Sequence, residues 1–168
     1  MELGVDVNGM VPNTGLSCSP LHTAGRLEMV KLLLELGADP TLRDPSFHAT
    51  PIAWANHGQQ QHIVDYLMPS ASIFDAVQCG GVERVAELLR HDPSLANSTD
   101  TEGNPLVFYL HAELVRLDEM IELLVAHGAD LNARNKAGKT ILDRAQARGL
   151  TDFADVLRAH GARAGETH

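Results

Sequence analysis

The chain has 168 residues, 44% hydrophobic and 21% charged, the balance of one soluble domain or of one repeat array of similar mass. Aromatics make up only 4%, so aliphatic side chains and alanine must build the interior, which favours helices. The formal charge of −9 divides into 18 acids against 6 bases over residues 1–130 and 4 against 7 over residues 131–168; an acidic body with a mildly basic tail is not a nucleic-acid binder, which carries a basic face.

No apolar run approaches the roughly 18 residues of a membrane span, so no membrane partner is expected. The opening MELGVDVNG lacks the basic start and apolar core of a secretory signal. Cys18 and Cys79 stand alone, without a CxxC or a disulfide framework, which points to a reducing, cytoplasmic setting. Ten arginines against three lysines fit a GC-rich bacterial genome.

In chain order, ELGVDVN (2–8) matches ELGADPT (35–41) at an offset of 33 residues. No helix precedes this first copy; a longer parent array and an incomplete first unit both account for that. Leu3, Val5, Met10, Val11 and Leu16 form an apolar lead-in that must fold over the first helix pair or meet another molecule. SPLHTA (19–24) opens that pair, which spans 19–36 and is closed by LEMVKLLLEL (27–36). About three residues are missing between its two halves, so the helix from Pro20 is expected to be short. Met29, Val30, Leu32, Leu33, Leu34 and Leu36 are apolar nearly all round, the mark of a helix covered on two sides.

TPIAWA (50–55) and HIVDYLM (62–68) form a second pair over 50–68. IFDAVQCGGVERVAELLR (73–90) repeats the two-helix rhythm over 72–90 without an opening turn, and HDPSLAN (91–97) comes after it. The fourth pair, 104–127, opens with NPLVFY and closes with DEMIELLVAHG; the fifth, 140–160, opens with TILDRA and closes with DFADVLRAHG. In that last helix Phe153, Val156 and Leu157 share one stripe, and Asp152, Asp155 and Arg158 lie elsewhere, as in a terminal capping helix. Pro20, Pro51 and Pro105 occupy first turns, where the missing N–H costs nothing. Ser19, Thr50 and Thr140 are placed to cap, and Gly37, Gly128 and Gly161 to end the second helices in a left-handed turn.

The 33-residue period, SPLHTA and the Gly-Ala-Asp turns at 37–39 and 128–130 together resemble the ankyrin repeat family over essentially the whole chain. The resemblance implies an all-α solenoid of five helix pairs with short β-hairpin fingers, forming one domain over 1–168. It also implies a finger of about a dozen extra residues after Met68, where the chain offers only Pro69–Ser72; that finger is expected to be missing at 69–72. His22, in the PLH position, is implied to make a structural hydrogen bond at the turn.

Nine histidines invite a metal reading, but His57 and His62 are five apart and no Cys or carboxylate completes a zinc set. His127 and His160 sit where a helix C-terminus suits an imidazole. Cys18 and His22, four apart, lack an orienting group or an oxyanion site for nucleophilic catalysis. Asp75 and Asp143 read as satisfied polar groups, and Cys79 as a packing residue. No phosphate loop, dinucleotide fingerprint or serine elbow appears, so neither enzyme activity nor a cofactor is expected.

The expected function is therefore a scaffold or adaptor that holds a partner protein through its fingers and the groove of first helices. Trp54, the sole tryptophan, is either buried or an interface anchor. With Phe47, His48, Asn56 and His57 it makes one candidate contact patch. The final finger makes a second: Arg134, Lys136 and Lys139 alternate along ARNKAGKT (133–140), and Arg148 ends the next helix. Asp100 and Glu102 give the preceding finger the opposite sign, so an acidic partner segment is expected at the basic end. The alternative is a self-assembling array, or a piece of a longer one, that stacks through its N-terminal pair.

Overall fold

The computed structural model describes residues 6–13 and 16–165, with only the backbone of 11–13 and 16. Leu3 and Val5 of the apolar lead-in lie outside the described residues. Among those described, regular structure is almost entirely α-helical; the one strand pair is β1 (Val11–Asn13) antiparallel to β2 (Leu16–Cys18), with Val11 opposite Cys18. Packing divides the chain into residues 1–75 and 76–168.

The first unit holds α1 (Leu27–Glu35), α2 (Pro51–His57), α3 (Gln61–Leu67) and the start of α4 (Ile73–Gln78). Val30, Ile52, Ile63, Val64 and Leu67 are almost wholly buried, each contributing on the order of 1.5–3 kcal/mol over an exposed side chain. The segment expected to be a short helix from Pro20 is a turn, with the His22 amide donating to the Ser19 carbonyl at 3.1 Å. Gly25 and Arg26 already lead into α1, which leaves too few residues for a ladder of i→i−4 bonds. After Leu67 the chain passes through a 3-10 turn (Met68–Ser70) into α4.

Helix α1 departs from expectation. Val30 and Leu33 are buried, but Met29, Leu32 and Leu36 are 48%, 47% and 63% exposed. An interior repeat would cover that flank with a helix preceding α1. Here the described residues before α1 form β1, β2 and a turn instead.

The second unit holds α5 (Val82–His91), α6 (Leu117–Ala126), α7 (Ile141–Ala147) and α8 (Thr151–Ala159). Leu89, Leu106, Met120, Ile121, Leu124 and Leu157 are fully buried. The opening helix of the fourth pair is only a 3-10 turn, Leu106–Tyr109. Residues 110–116 continue as an irregular loop that takes up the extra length, anchored where His111 Nε2 meets the Gln78 carbonyl at 2.9 Å.

Three helix ends share one device. Gly37, Gly128 and Gly161 adopt φ of 90°, 84° and 93°. The next amide returns to a carbonyl five residues back: Ala38 to Leu33, Ala129 to Leu124 and Ala162 to Leu157. Capping at the other ends differs by site. Thr140 and Asp143 form a full capping box. Thr50 does not cap; its hydroxyl donates to the buried Asp75 carboxylate at 3.0 Å. Ser19 turns its hydroxyl to His22 instead.

Asparagines tie consecutive loops together. Asn8 Nδ2 donates to the Gly37 carbonyl at 3.2 Å while its Oδ1 accepts the Asp39 amide at 2.8 Å. Asn97 repeats the pattern on Gly128 (2.7 Å) and Asp130 (2.9 Å), and Asn132 Oδ1 accepts the Arg163 amide at 2.6 Å.

Candidate protein-binding surface

Each finger is a tight turn organised by one side chain. In the first, the Asp44 amide donates to the Ala49 carbonyl and the His48 amide to the Asp44 carbonyl, both at 3.0 Å. The Asp44 carboxylate is fully buried and accepts from the amides of Ser46 (2.8 Å), Phe47 (2.7 Å) and Ala49 (3.0 Å) and from Trp54 Nε1 (3.0 Å). Burial pushes this carboxyl up, but the indole and the three amides outweigh it and hold it below the ordinary range.

The second finger repeats the scheme. Asp100 accepts from the amides of Glu102 and Asn104 (both 2.8 Å), from Asn104 Nδ2 and from the Tyr109 hydroxyl (both 2.9 Å). It too is held low against the upward push of burial, by Asn104, Tyr109 and the Glu102 amide. In the third finger Asn135 takes the same place, accepting from Ala137 (3.0 Å) and Lys139 (3.1 Å), with no aromatic added. These aspartates were missed as organising residues. The signal was an Asp at the entry of the first two fingers with an aromatic nine or ten residues on.

Phe47 stands at the tip of the first finger, 66% exposed, its ring 6.3 Å from that of Trp54. Trp54 is half-buried, between the two roles the sequence left open: its N–H is spent on Asp44 while its ring meets Phe47 and, edge-on at 5.9 Å, His22. His48 shares the finger and is exposed. Asn56 and His57 lie at the end of α2, and among the described residues no side-chain bond or ring contact joins them to Phe47 or Trp54. Their inclusion in the patch rests on proximity in sequence.

His48 has φ 52°, a left-handed conformation that Gly103 and Gly138 occupy in the other fingers. Histidine tolerates it poorly. His48→Gly is expected to raise stability by about 0.5–1 kcal/mol, the relief of strain outweighing the added freedom of the unfolded chain. A chemical-denaturation midpoint that fell would contradict this.

His22 has both ring nitrogens engaged. Nδ1 accepts the Ser19 amide at 3.3 Å and faces the Ser19 hydroxyl at 2.8 Å, leaving Nε2 to donate to the Ala49 carbonyl at 3.1 Å. Cys18 beside it is buried, and burial together with the charge of Asp44 pushes its thiol up, away from the thiolate a nucleophile needs.

The basic residues do not form a single free patch. Arg134 folds over its own turn, donating to the Gly138 carbonyl at 2.8 Å. The Lys136 stem lies against Gly103, its Cε 2.6 Å from where a Cβ would stand, so this lysine leans onto the acidic finger. Lys139 and Arg148 are exposed. Arg148 has a neighbour that sequence reasoning passed over: Arg144, one turn earlier on α7, whose guanidinium lies 5.0 Å over the Phe108 ring and donates to the Leu110 carbonyl at 3.1 Å.

Among the described residues, no group of three or more His, Cys, Asp or Glu is placed to hold a metal, and no helix is long and apolar enough to cross a membrane.

Paired short helices, glycine-closed turns and asparagine-tied loops define a helix-pair repeat protein. The family model for the ankyrin repeat matches residues 17–45. Among curated proteins the chain is similar to the putative ankyrin repeat protein YahD of Escherichia coli (strain K12), 26% identical over 179 residues, covering 96% of this chain and 88% of that one. Among solved structures it is similar to an ankyrin repeat domain from Acinetobacter baumannii AYE, with 19% identity, a TM-score of 0.55, and 95% and 88% of the two chains covered. It is also similar to one chain of the solved complex between the Bd0816 predatory endopeptidase from Bdellovibrio bacteriovorus and immunity protein Bd3460, with 25% identity, a TM-score of 0.60, and 94% and 86% covered. Residues 17–45 match the ankyrin repeat, and the chain has the all-α fold of the ankyrin-repeat structures it resembles. Such repeats are general protein–protein interaction modules.

Proposed function

We propose that this protein holds a partner protein against its fingers, with Phe47 and Trp54 as the apolar anchor of the first unit and Arg134, Lys136, Lys139 and Arg148 as charged contacts of the second. The observation that carries this reading is the exposure of Phe47 on a turn that Asp44 makes rigid through four hydrogen bonds. A large aromatic held in water on a pre-organised loop loses little entropy on docking, which is how an interface anchor works. A structural relative that belongs to a complex of an endopeptidase and an immunity protein supports a protein as the ligand class.

The test is a photo-crosslinking residue at position 47 of the full chain, in lysate of the source organism. A discrete protein adduct is expected, and binding of that protein should weaken on Phe47→Ala with the melting temperature unchanged. Charge reversal of Lys136 and Lys139 to Glu should slow association with an acidic partner and flatten its salt dependence. Absence of any adduct at 47, with adducts only at remote control positions, would remove the first patch.

A second reading, self-association through α1, is favoured by the exposed Met29, Leu32 and Leu36. It carries an electrostatic cost: Glu28 and Glu35 edge the same stripe, and an antiparallel two-fold pairing sets acid against acid. Sedimentation velocity distinguishes the two readings, because self-association requires a sedimentation coefficient that rises with concentration and more so with salt.

A further inference from the structure

We propose that Arg144 and Arg148 form a receptor for a side-chain carboxylate of an acidic partner segment, with Arg144 the anchored element and Arg148 the exposed one. The inference rests on the partner-binding reading above and names the chemistry of its second patch.

The two arginines are four residues apart, Arg144 within α7 and Arg148 at its C-cap, so their side chains leave the same side. Arg144 is half-buried and held in place twice, by the Phe108 ring beneath it and by the Leu110 carbonyl that takes one of its N–H groups. A guanidinium carries five N–H donors in a rigid fork, so most of the fork remains for a ligand. Burial, and then the like charge of Arg148, act against the charged form of Arg144. Among the described residues neither guanidinium has a carboxylate within ion-pair distance; the ion pairs present involve other groups. Asp143, the only acid on α7, is committed to the amides of Thr140 (2.8 Å) and Gly165 (2.9 Å).

A partly desolvated cation beside a second cation, without a counter-ion, is a cost the isolated protein bears. A carboxylate bridging the two removes the repulsion and adds charge-assisted hydrogen bonds to a donor already in position. The ligand must be locally acidic and deliver its carboxylate by contact, because a chain of net charge −9 gives no long-range attraction to an anion. Residues 131–168, with 7 bases against 4 acids, are the stretch where an acidic segment meets a favourable field.

The full chain is titrated with an acetylated, amidated octaglutamate peptide and, separately, with inorganic phosphate, while the arginine Nε–Hε signals are followed by NMR. Arg144→Gln and Arg148→Gln assign the signals. The expected result is a saturable shift of both by octaglutamate, little response to phosphate at equal ionic strength, and an affinity about tenfold weaker in Arg148→Gln, as loss of one charge-assisted hydrogen bond implies. Arg148 is exposed, so that variant should melt as the wild type does even if Arg144→Gln is destabilised. Unmoved signals, an equal response to phosphate, or unchanged affinity in Arg148→Gln would each overturn the proposal. Failure with octaglutamate while a protein still crosslinks at position 47 removes this inference and leaves the partner-binding reading standing.

Discussion

Replacing Asp44 with alanine should destabilise the first unit by about 3 kcal/mol, a large share of what a domain of this size commands. The substitution deletes a fully buried carboxylate and strands the amides of Ser46, Phe47 and Ala49 together with Trp54 Nε1. Water admitted to the loosened finger recovers part of the loss but cannot restore four converging acceptor contacts. Asp44→Asn keeps one carbonyl oxygen and should lose about half as much. Trp54 is the only tryptophan, so its emission reports this unit directly. The pH dependence has a definite sign. The folded carboxyl sits below its unfolded value of about 3.9, so its contribution is full above that value and is lost as pH falls through the folded pKa. The wild type should therefore lose stability on acidification by a component that is absent from Asp44→Ala. If the two acid branches run parallel, Asp44 is not the organising group described.

The sequence carried the repeat and its punctuation because those depend on local chemistry. Gly37, Gly128 and Gly161 end helices since only a residue without Cβ accepts φ near 90° cheaply, and that requirement is written one residue at a time. What it did not show was how nearby groups compete. Thr50 sits where a cap belongs but meets Asp75, 25 residues on, and spends its hydroxyl there. The opening segments of the first and fourth pairs have the family's Pro-Leu spelling yet form a turn and a 3-10 turn, because the chain beyond each is too short or too irregular to continue an α ladder. The candidate site divides in the same way. Phe47 and Trp54 were visible as rare aromatics in a chain that is 4% aromatic. Asp44, which bonds to both, has no local signature of burial in the sequence. Arg144 carries no mark of its role in the sequence, because Phe108 and Leu110, which hold it, lie more than thirty residues earlier.

The asparagine ties yield the second large effect. Asn97→Ala should cost the second unit about 2 kcal/mol, because one side chain donates to the Gly128 carbonyl at 2.7 Å and accepts the Asp130 amide at 2.9 Å. Both bonds bridge more than thirty residues of chain, so the loss falls on contacts between successive loops and leaves each helix pair internally intact. In an array whose stability is a sum of unit and neighbour terms, a weakened junction also lowers cooperativity. Alanine alone does not separate the two bonds; aspartate does. Asn97→Asp keeps an oxygen for the Asp130 amide but sets a second oxygen against the Gly128 carbonyl, a repulsion between acceptors. Its folded carboxyl should be pushed above the ordinary value, since only the protonated form can donate to that carbonyl. The penalty is then present above the folded pKa and disappears as pH falls through it. Asn97→Ala should show no such recovery, so the difference between the two variants isolates the Gly128 bond from the general loss of stability in acid. Denaturation midpoints for both, measured across the carboxylate titration range, should converge at neutral pH or place Asn97→Asp lower, and separate in favour of Asn97→Asp as the solution is acidified. Parallel curves would mean that the Asn97 amide nitrogen contributes nothing to the junction.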